Sequence, residues 1–277
     1  FMLDTTLADA DKYPLKLSDL MVTALNPKKG WADLAWASGP TQVVENVPIV
    51  GFTGDKFYRP MWMSDDMLDF TGSVLAIDPS GRGKDETAYA VVKMLNGYLY
   101  VTRIGGFVGG YSDKTLTSLS TVAKQESVNM VIVESNFGDG MYVKLLTPIL
   151  NRIHRVTIEE VRHSTQKEMR MIDTLEPVMM QHRLIVDEKL IKEDYDSAPE
   201  PSYSLFYQMT RLTRDRGAII HDDRLDALSM AVAYWTEQMD ADSESLASMQ
   251  KTEAFNREIE RFMDHAVGQK PRGITWM

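Results

Sequence analysis

A chain of 277 residues with no cysteine can form neither a disulfide nor a thiolate metal site, and without a run of eighteen apolar residues or a signal peptide it offers nothing that spans a membrane. Its 44% hydrophobic and 25% charged residues describe a globular chain large enough for one substantial core plus extra segments, in keeping with a reducing cytosol. The formal net charge of −10 argues against a broad basic surface for nucleic acid, although a carboxylate cluster that holds cations adds negative charge of its own, and the local field decides.

Residues 1–70 show no clean period. The chain begins Phe-Met-Leu with no methionine at position 1, which fits a piece of something longer. Pro14, Pro27, Gly30, Gly39, Pro40, Pro48, Gly51, Gly54 and Pro60 cut the stretch into short pieces. Trp31, Trp36, Phe52, Phe57, Tyr58 and Trp62 make it too aromatic for a solvated linker, so it reads as an arm that wraps the following domain.

Regular structure begins at Ser73. Val74-Leu75-Ala76-Ile77 is a short apolar run suited to a strand buried on both faces, and Asp78 is the first charge after it, delivered into the turn Pro79-Ser80-Gly81. A buried strand-end carboxylate costs free energy unless a cation, a donor or a proton compensates it. Residues 87–94 and 98–104 are β-rich runs around Leu95-Asn96-Gly97, a hairpin. Leu116, Leu119 and Ala123 repeat at helical spacing after a capping Ser112, which predicts a crossover helix. Met130 to Val133 is a second buried run ending on an acid, Glu134, and the crossover makes it parallel to the first. Two parallel strands ending in acids put both at one sheet edge, where open α/β sheets place their sites.

Residues 141–150 read as a helix and 155–161 as a strand. Thr165 to Glu168 reads as a capping box opening a helix with Met169, Ile172, Leu175 and Met179 on one face, ended or kinked at Pro177. A strand at 183–186 and a short helix at 203–212 follow. The late helix, to about Met239, buries Leu225, Leu228, Val232 and Trp235. At about 100° per residue Asp222 lies on the flank of that stripe, Asp226 somewhat further round and Asp223 nearly opposite, so Asp222 is the first choice to join Asp78 and Glu134. Residues 240–277 turn polar and helix-prone, then basic and proline-broken.

Alone, each acid has a plain explanation: Asp78 starts a type I turn, and Asp222 caps a helix. Glu134 is harder to dismiss, since glutamate is a poor turn former. The conjunction of three acids at one edge points instead to phosphodiester hydrolysis, in which two Mg²⁺ or Mn²⁺ ions about 4 Å apart activate water and stabilise the leaving oxygen. In that reading Asp78 bridges the ions, Glu134 serves one and Asp222 the other, while Asp223, Asp226, Asp85 and Asp139 are additional candidates. Arg82, Lys84, Arg162, His163 and Lys167 are candidates for phosphate contacts on DNA. His221 reads as a packed helix-start residue, because hard cations have little use for imidazole.

The segments AIDPSGRGKDET, VIVESNFGDG and HDDRLDALSMA, in that order over Gly72 to Trp235, resemble the three acidic motifs of the nuclease domain in large terminase subunits of tailed bacteriophages. Together with RMIDTLEPVM, they are most similar to the T7-like group. The resemblance implies a ribonuclease H-like fold, a mixed α/β sheet flanked by helices, with an N-terminal wrapping arm and a C-terminal helical tail. It also implies a metal-dependent endonuclease that cuts double-stranded concatemeric DNA during genome packaging in the host cytoplasm. Asp78, Glu134 and the Asp222-Asp223 pair match the first, second and third acids. In that family the large subunit also carries an ATPase motor, and works with the small terminase subunit and the portal. Residues 1–70 are then an arm or linker from a motor domain, 71–240 the nuclease, and 241–277 a possible portal-docking element. No Walker loop is present: Gly83-Lys84 is followed by Asp85, with Asp78 where the first glycine belongs, so no ATPase activity is expected of this chain itself. A Holliday-junction resolvase, with the same acid layout, and a non-catalytic docking module are the alternatives. An actin-like phosphotransferase would need a second glycine-rich phosphate loop where Glu134 stands.

Overall fold

A seven-stranded mixed sheet carries the candidate acids. The computed structural model describes residues 12–80, 85–135 and 140–243. The chain divides into two compact units, Phe1–Trp235 and Thr236–Met277, and of the second only residues 236–243 are described. The tail expectation therefore lies almost wholly outside the described residues, as do Arg82, Lys84 and Asp139.

The strands of the main sheet are β1 (Met21–Thr23), β6 (Gly72–Asp78), β7 (Glu86–Leu95), β8 (Tyr98–Val108), β9 (Met130–Glu134), β10 (Thr157–Val161) and β11 (Leu184–Asp187), in the spatial order β1-β11-β8-β7-β6-β9-β10. Strands β6, β7 and β8 form an antiparallel meander, and β9 lies parallel to β6 with Ile77 opposite Val133. The turn between β7 and β8 puts Asn96 and Gly97 at φ of 51° and 82°, the paired left-handed residues that a tight hairpin needs. Helices α1 (Asp113–Gln125) and α2 (Met141–Ile153) cover one face through Leu116, Leu119, Leu146 and Leu150, which share a core with Leu75, Ile77, Val91, Val131 and Val133. Ser112 caps α1, its Oγ accepting from Thr115 N at 3.3 Å.

Because strand side chains alternate, Val74, Ala76 and Asp78 face the other way, as do Ile132 and Glu134. Helix α6 spans 223–243, and on that side its residues up to 235 pack on the sheet, where Trp235 Nε1 donates to Val92 O at 3.0 Å. The remaining helices are α3 (Lys167–Met180), α4 (Glu188–Ser197) and α5 (Leu205–Arg211).

Several local expectations change. The N-terminal stretch does more than wrap: β1 extends the main sheet parallel to β11, with Leu15, Leu17, Leu20, Met21 and Val22 buried. Its short strands β2 (Lys29–Trp31) and β3 (Leu34–Ala35) pair with β5 (Met67–Asp69) and β4 (Trp62–Met63). Trp36 stacks on His182 and Phe57 packs edge-on against Phe206, whereas Trp62 stays exposed. The capping box does not form. Helix α3 starts after Gln166 without a side-chain cap, because Glu168 Oε1 instead accepts Gly217 N at 2.6 Å from the loop before α6. Pro177 does not stop α3, which runs to Met180. Helix α4 escaped the sequence reading, since EKLIKEDYDS is charge-dense and buries only Leu190, Ile191 and Asp194.

Candidate metal centre

Parity and register put Asp78 and Glu134 on the same face of adjacent strands, one residue past the Ile77–Val133 pair. Helix α6 adds the third acid from the side. One oxygen each from Asp78, Glu134 and Asp226 lies within 4.8 Å of the others, and all three residues are buried.

The structure brings Asp226 into this cluster, not Asp222, the acid expected first. The physical reason is where α6 begins. Asp222 is the residue before its first turn, its carbonyl accepting Asp226 N at 2.8 Å, so its carboxylate stays at the rim while Asp226 faces the sheet from within the helix. Asp222 still reaches the cluster indirectly through Lys167 Nζ, which donates to its Oδ1 at 2.8 Å. Asp223 lies outside the triad, and Asp85 is exposed.

Helix α3 supplies the counter-charge. Lys167 Nζ lies 3.4 Å from Asp78 Oδ2 and 3.0 Å from Asp226 Oδ2. One turn on, Arg170 Nη2 donates to Asp226 at 2.8 and 3.0 Å and to Glu134 Oε1 at 3.4 Å. Lys167 is thus held among acids, Arg162 is exposed, and His163 is half-buried near Arg170 and Asp226. His221 stacks on Tyr203 at 3.7 Å.

Two cations face four carboxylates here, Asp78, Glu134, Asp222 and Asp226, which leaves two formal negative charges. The imbalance shows in the proton affinities. Burial pushes Asp78 well above the usual carboxylate range; Lys167 pulls it down, and Asp226, Glu134 and Asp223 push it up again. Glu134 is also raised, by burial and then Asp226, against Arg170 and Lys167. Asp223 rises to about 6, through burial first, with Lys167 opposing and Asp222 and Asp85 repelling. Burial would lower Lys167, but Asp226, Asp78 and Asp222 outweigh it and raise its pKa. Burial and Arg170 lower His163, with Asp226 opposing.

Among the described residues Glu134 Oε2, Arg170 Nε and His163 Nε2 are buried without a hydrogen-bond partner. A buried carboxylate oxygen left open, in an all-oxygen donor set with surplus negative charge, fits a hard divalent cation. The chain has no cysteine to favour a thiophilic metal.

Residues 77–184 match the family described as Terminase Bacteriophage T7, Ribonuclease H-like domain. Along its full length the chain is 42% identical to the large terminase subunit of Enterobacteria phage T3, of which it covers 48%. The chain belongs to the ribonuclease H-like nuclease domains of T7-like phage large terminases. It spans about half the length of that relative. Among solved structures, the terminase domain is similar to the large terminase nuclease from thermophilic phage G20c, at 10% identity over 80% of this chain and 98% of that one, with a TM-score of 0.46. A manganese-soaked human cytomegalovirus terminase nuclease domain matches at 14% identity over 59% of this chain and 83% of that one, with a TM-score of 0.44.

Two residues of the terminase domain escaped sequence reasoning. Arg170 had a signal: it stands three residues after Lys167, and such pairs share a helix face. Arg224 had one too, an arginine four residues before Leu228 on the stripe that α6 buries. No helix among the described residues is long and apolar enough to cross a membrane.

Proposed function

We propose that this domain is a metal-dependent endonuclease that cuts double-stranded concatemeric viral DNA during genome packaging. The observation that carries the reading is the convergence of Asp78, Glu134 and Asp226 from two strands and a helix to within 4.8 Å. Asp78 on β6, beside Glu134 on the neighbouring β9 and Asp226 on α6, would hold two Mg²⁺ or Mn²⁺ ions together with those two acids. Bound there, the ions supply an activated water and stabilise the leaving 3′-oxygen.

The chain's own residues do the rest. The open Glu134 Oε2 offers a lone pair to a cation or to a water oriented for attack. Lys167 holds Asp78, Asp222 and Asp226 together across the rim, and Arg170 keeps Asp226 and Glu134 from separating. Arg162, which is exposed, and Arg82 and Lys84 contribute phosphate contacts along the duplex. The partners in this reading are an ATPase motor in the same polypeptide, the small terminase subunit and the portal, with action in the cytoplasm of the infected bacterium. The mass of the relative beyond the aligned half supports the first of these.

The test is digestion of plasmid DNA with Mn²⁺ or Mg²⁺ by wild type beside Asp78→Asn, Glu134→Gln and Asp226→Asn. Loss of cleavage in all three is expected. Equal cleavage by all four proteins removes the proposal.

A further inference from the structure

Arg224 is the largest fully buried side chain among the described residues, and its guanidinium network ties together β7, α4 and α5. Nε and Nη2 grip both oxygens of Glu86 at 3.1 Å, at the first residue of β7. Nη1 donates to Asp194 Oδ1 at 2.8 Å, to Asp194 O at 3.2 Å and to Ser197 Oγ at 3.2 Å, at the end of α4. Asp194 in turn accepts Ser204 Oγ at 2.6 Å and Leu205 N at 3.2 Å, which fixes the start of α5. From α5, Gln208 Oε1 accepts Leu225 N at 2.9 Å. Residues 224 and 225, the first turn of α6, are therefore held from two sides.

Asp226 is two residues further, about 200° round the helix from Arg224, so it points nearly the opposite way. We infer that Arg224 is a positioning residue: its fork on Glu86 and Asp194 sets the rotation and axial height of the first turn of α6, and thereby selects Asp226 as the acid that completes the cluster with Asp78 and Glu134. Only a planar fork can do this. A lysine ammonium carries the charge but cannot grip Glu86 bidentately while reaching Asp194 and Ser197. Glu86 is itself backed closely by Gly106 on β8, where a methyl group would strike its carboxylate. The inference rests on the metal-site reading for its consequence, and on geometry alone for the position of Asp226.

The experiment compares wild type, Arg224→Lys, Gly106→Ala and Asp78→Asn in the full 277-residue chain. Arg224→Lys keeps the buried charge, and Gly106→Ala disturbs the fork from β8 without touching α6. Calorimetric titration with Mn²⁺ should show binding weakened about 10-fold or more in both, the scale on which partners that orient metal ligands act. The metal-free crystal structure of Arg224→Lys should show the Asp226 carboxylate displaced from Asp78 and Glu134. Wild-type Mn²⁺ affinity in both variants with Asp226 in place overturns the inference. If Asp78→Asn binds Mn²⁺ as tightly as wild type, the metal reading fails, and the position of Asp226 in the Arg224→Lys structure still decides the clamp.

Discussion

Two buried ionic clusters lie within one turn of each other on α6, and they are built to opposite rules. Around Arg224, the guanidinium meets Glu86 and Asp194, and hydroxyl and amide donors occupy the remaining acceptors. Around Asp226, four carboxylates outnumber two cations and buried polar atoms are left without partners. Both are expensive to desolvate. The closed cluster recovers that cost through hydrogen bonds inside the protein, whereas the open one recovers it only in part through Lys167 and Arg170. The ratio of acids to cations is two to one in both, so satisfied donors and acceptors, more than burial or acid count, separate a structural ion network from a site.

The comparison breaks most visibly at its closed half. Arg224→Met strands two buried carboxylates and should cost about 3–5 kcal/mol of stability in urea unfolding, the range for orphaning a buried ion pair. At the open half the sign reverses. Asp78→Asn or Asp226→Asn should reduce Mn²⁺-dependent cleavage by more than about 100-fold, beyond the loss of a supporting partner. In the same metal-free preparations, Asp78→Asn should raise the melting temperature at neutral pH, because it removes a carboxylate that folding forces to hold a proton.

The pH dependence sharpens the contrast. Asp78, Glu134 and Asp223 all have folded-state pKa values above the unfolded ones, so the folded protein binds more protons than the unfolded chain. Their contribution is fully present below the ordinary carboxylate range and lost as pH rises through the raised values, about 6 for Asp223. Metal-free melting temperatures should therefore fall between pH 4 and 7, and the fall should shrink in Asp223→Asn and with saturating Mn²⁺. A fall of the same size with and without Mn²⁺ would mean that the cation does not bind at these acids.

The smallest effect belongs outside both clusters. Trp235→Phe loses the hydrogen bond to Val92 O and should cost roughly 0.5–1.5 kcal/mol while leaving Mn²⁺ affinity untouched.

Much of this was legible in the order of residues. A four-residue apolar run followed by a lone acid, twice, with a helical crossover between, is a local pattern, and β6 and β9 formed with Asp78 and Glu134 abreast. Failures came where a residue's partner is distant in the chain. Glu168 left its capping box for Gly217, and β1 joined the sheet edge through pairing with β11, more than 160 residues on. Arg170 and Arg224 look like surface cations until the acids they meet are brought to them.

The chain's own periodicity determined which strands exist, that β6 and β9 are parallel, and that their terminal acids share a face, because strand parity and crossover handedness are short-range rules. Which acid of His221-Asp-Asp-Arg-Leu-Asp226 joins them was decided only in three dimensions. A helix can be read from its stripe to within a turn, but its rotation is set by what grips it, and here that grip comes from β7, α4 and α5.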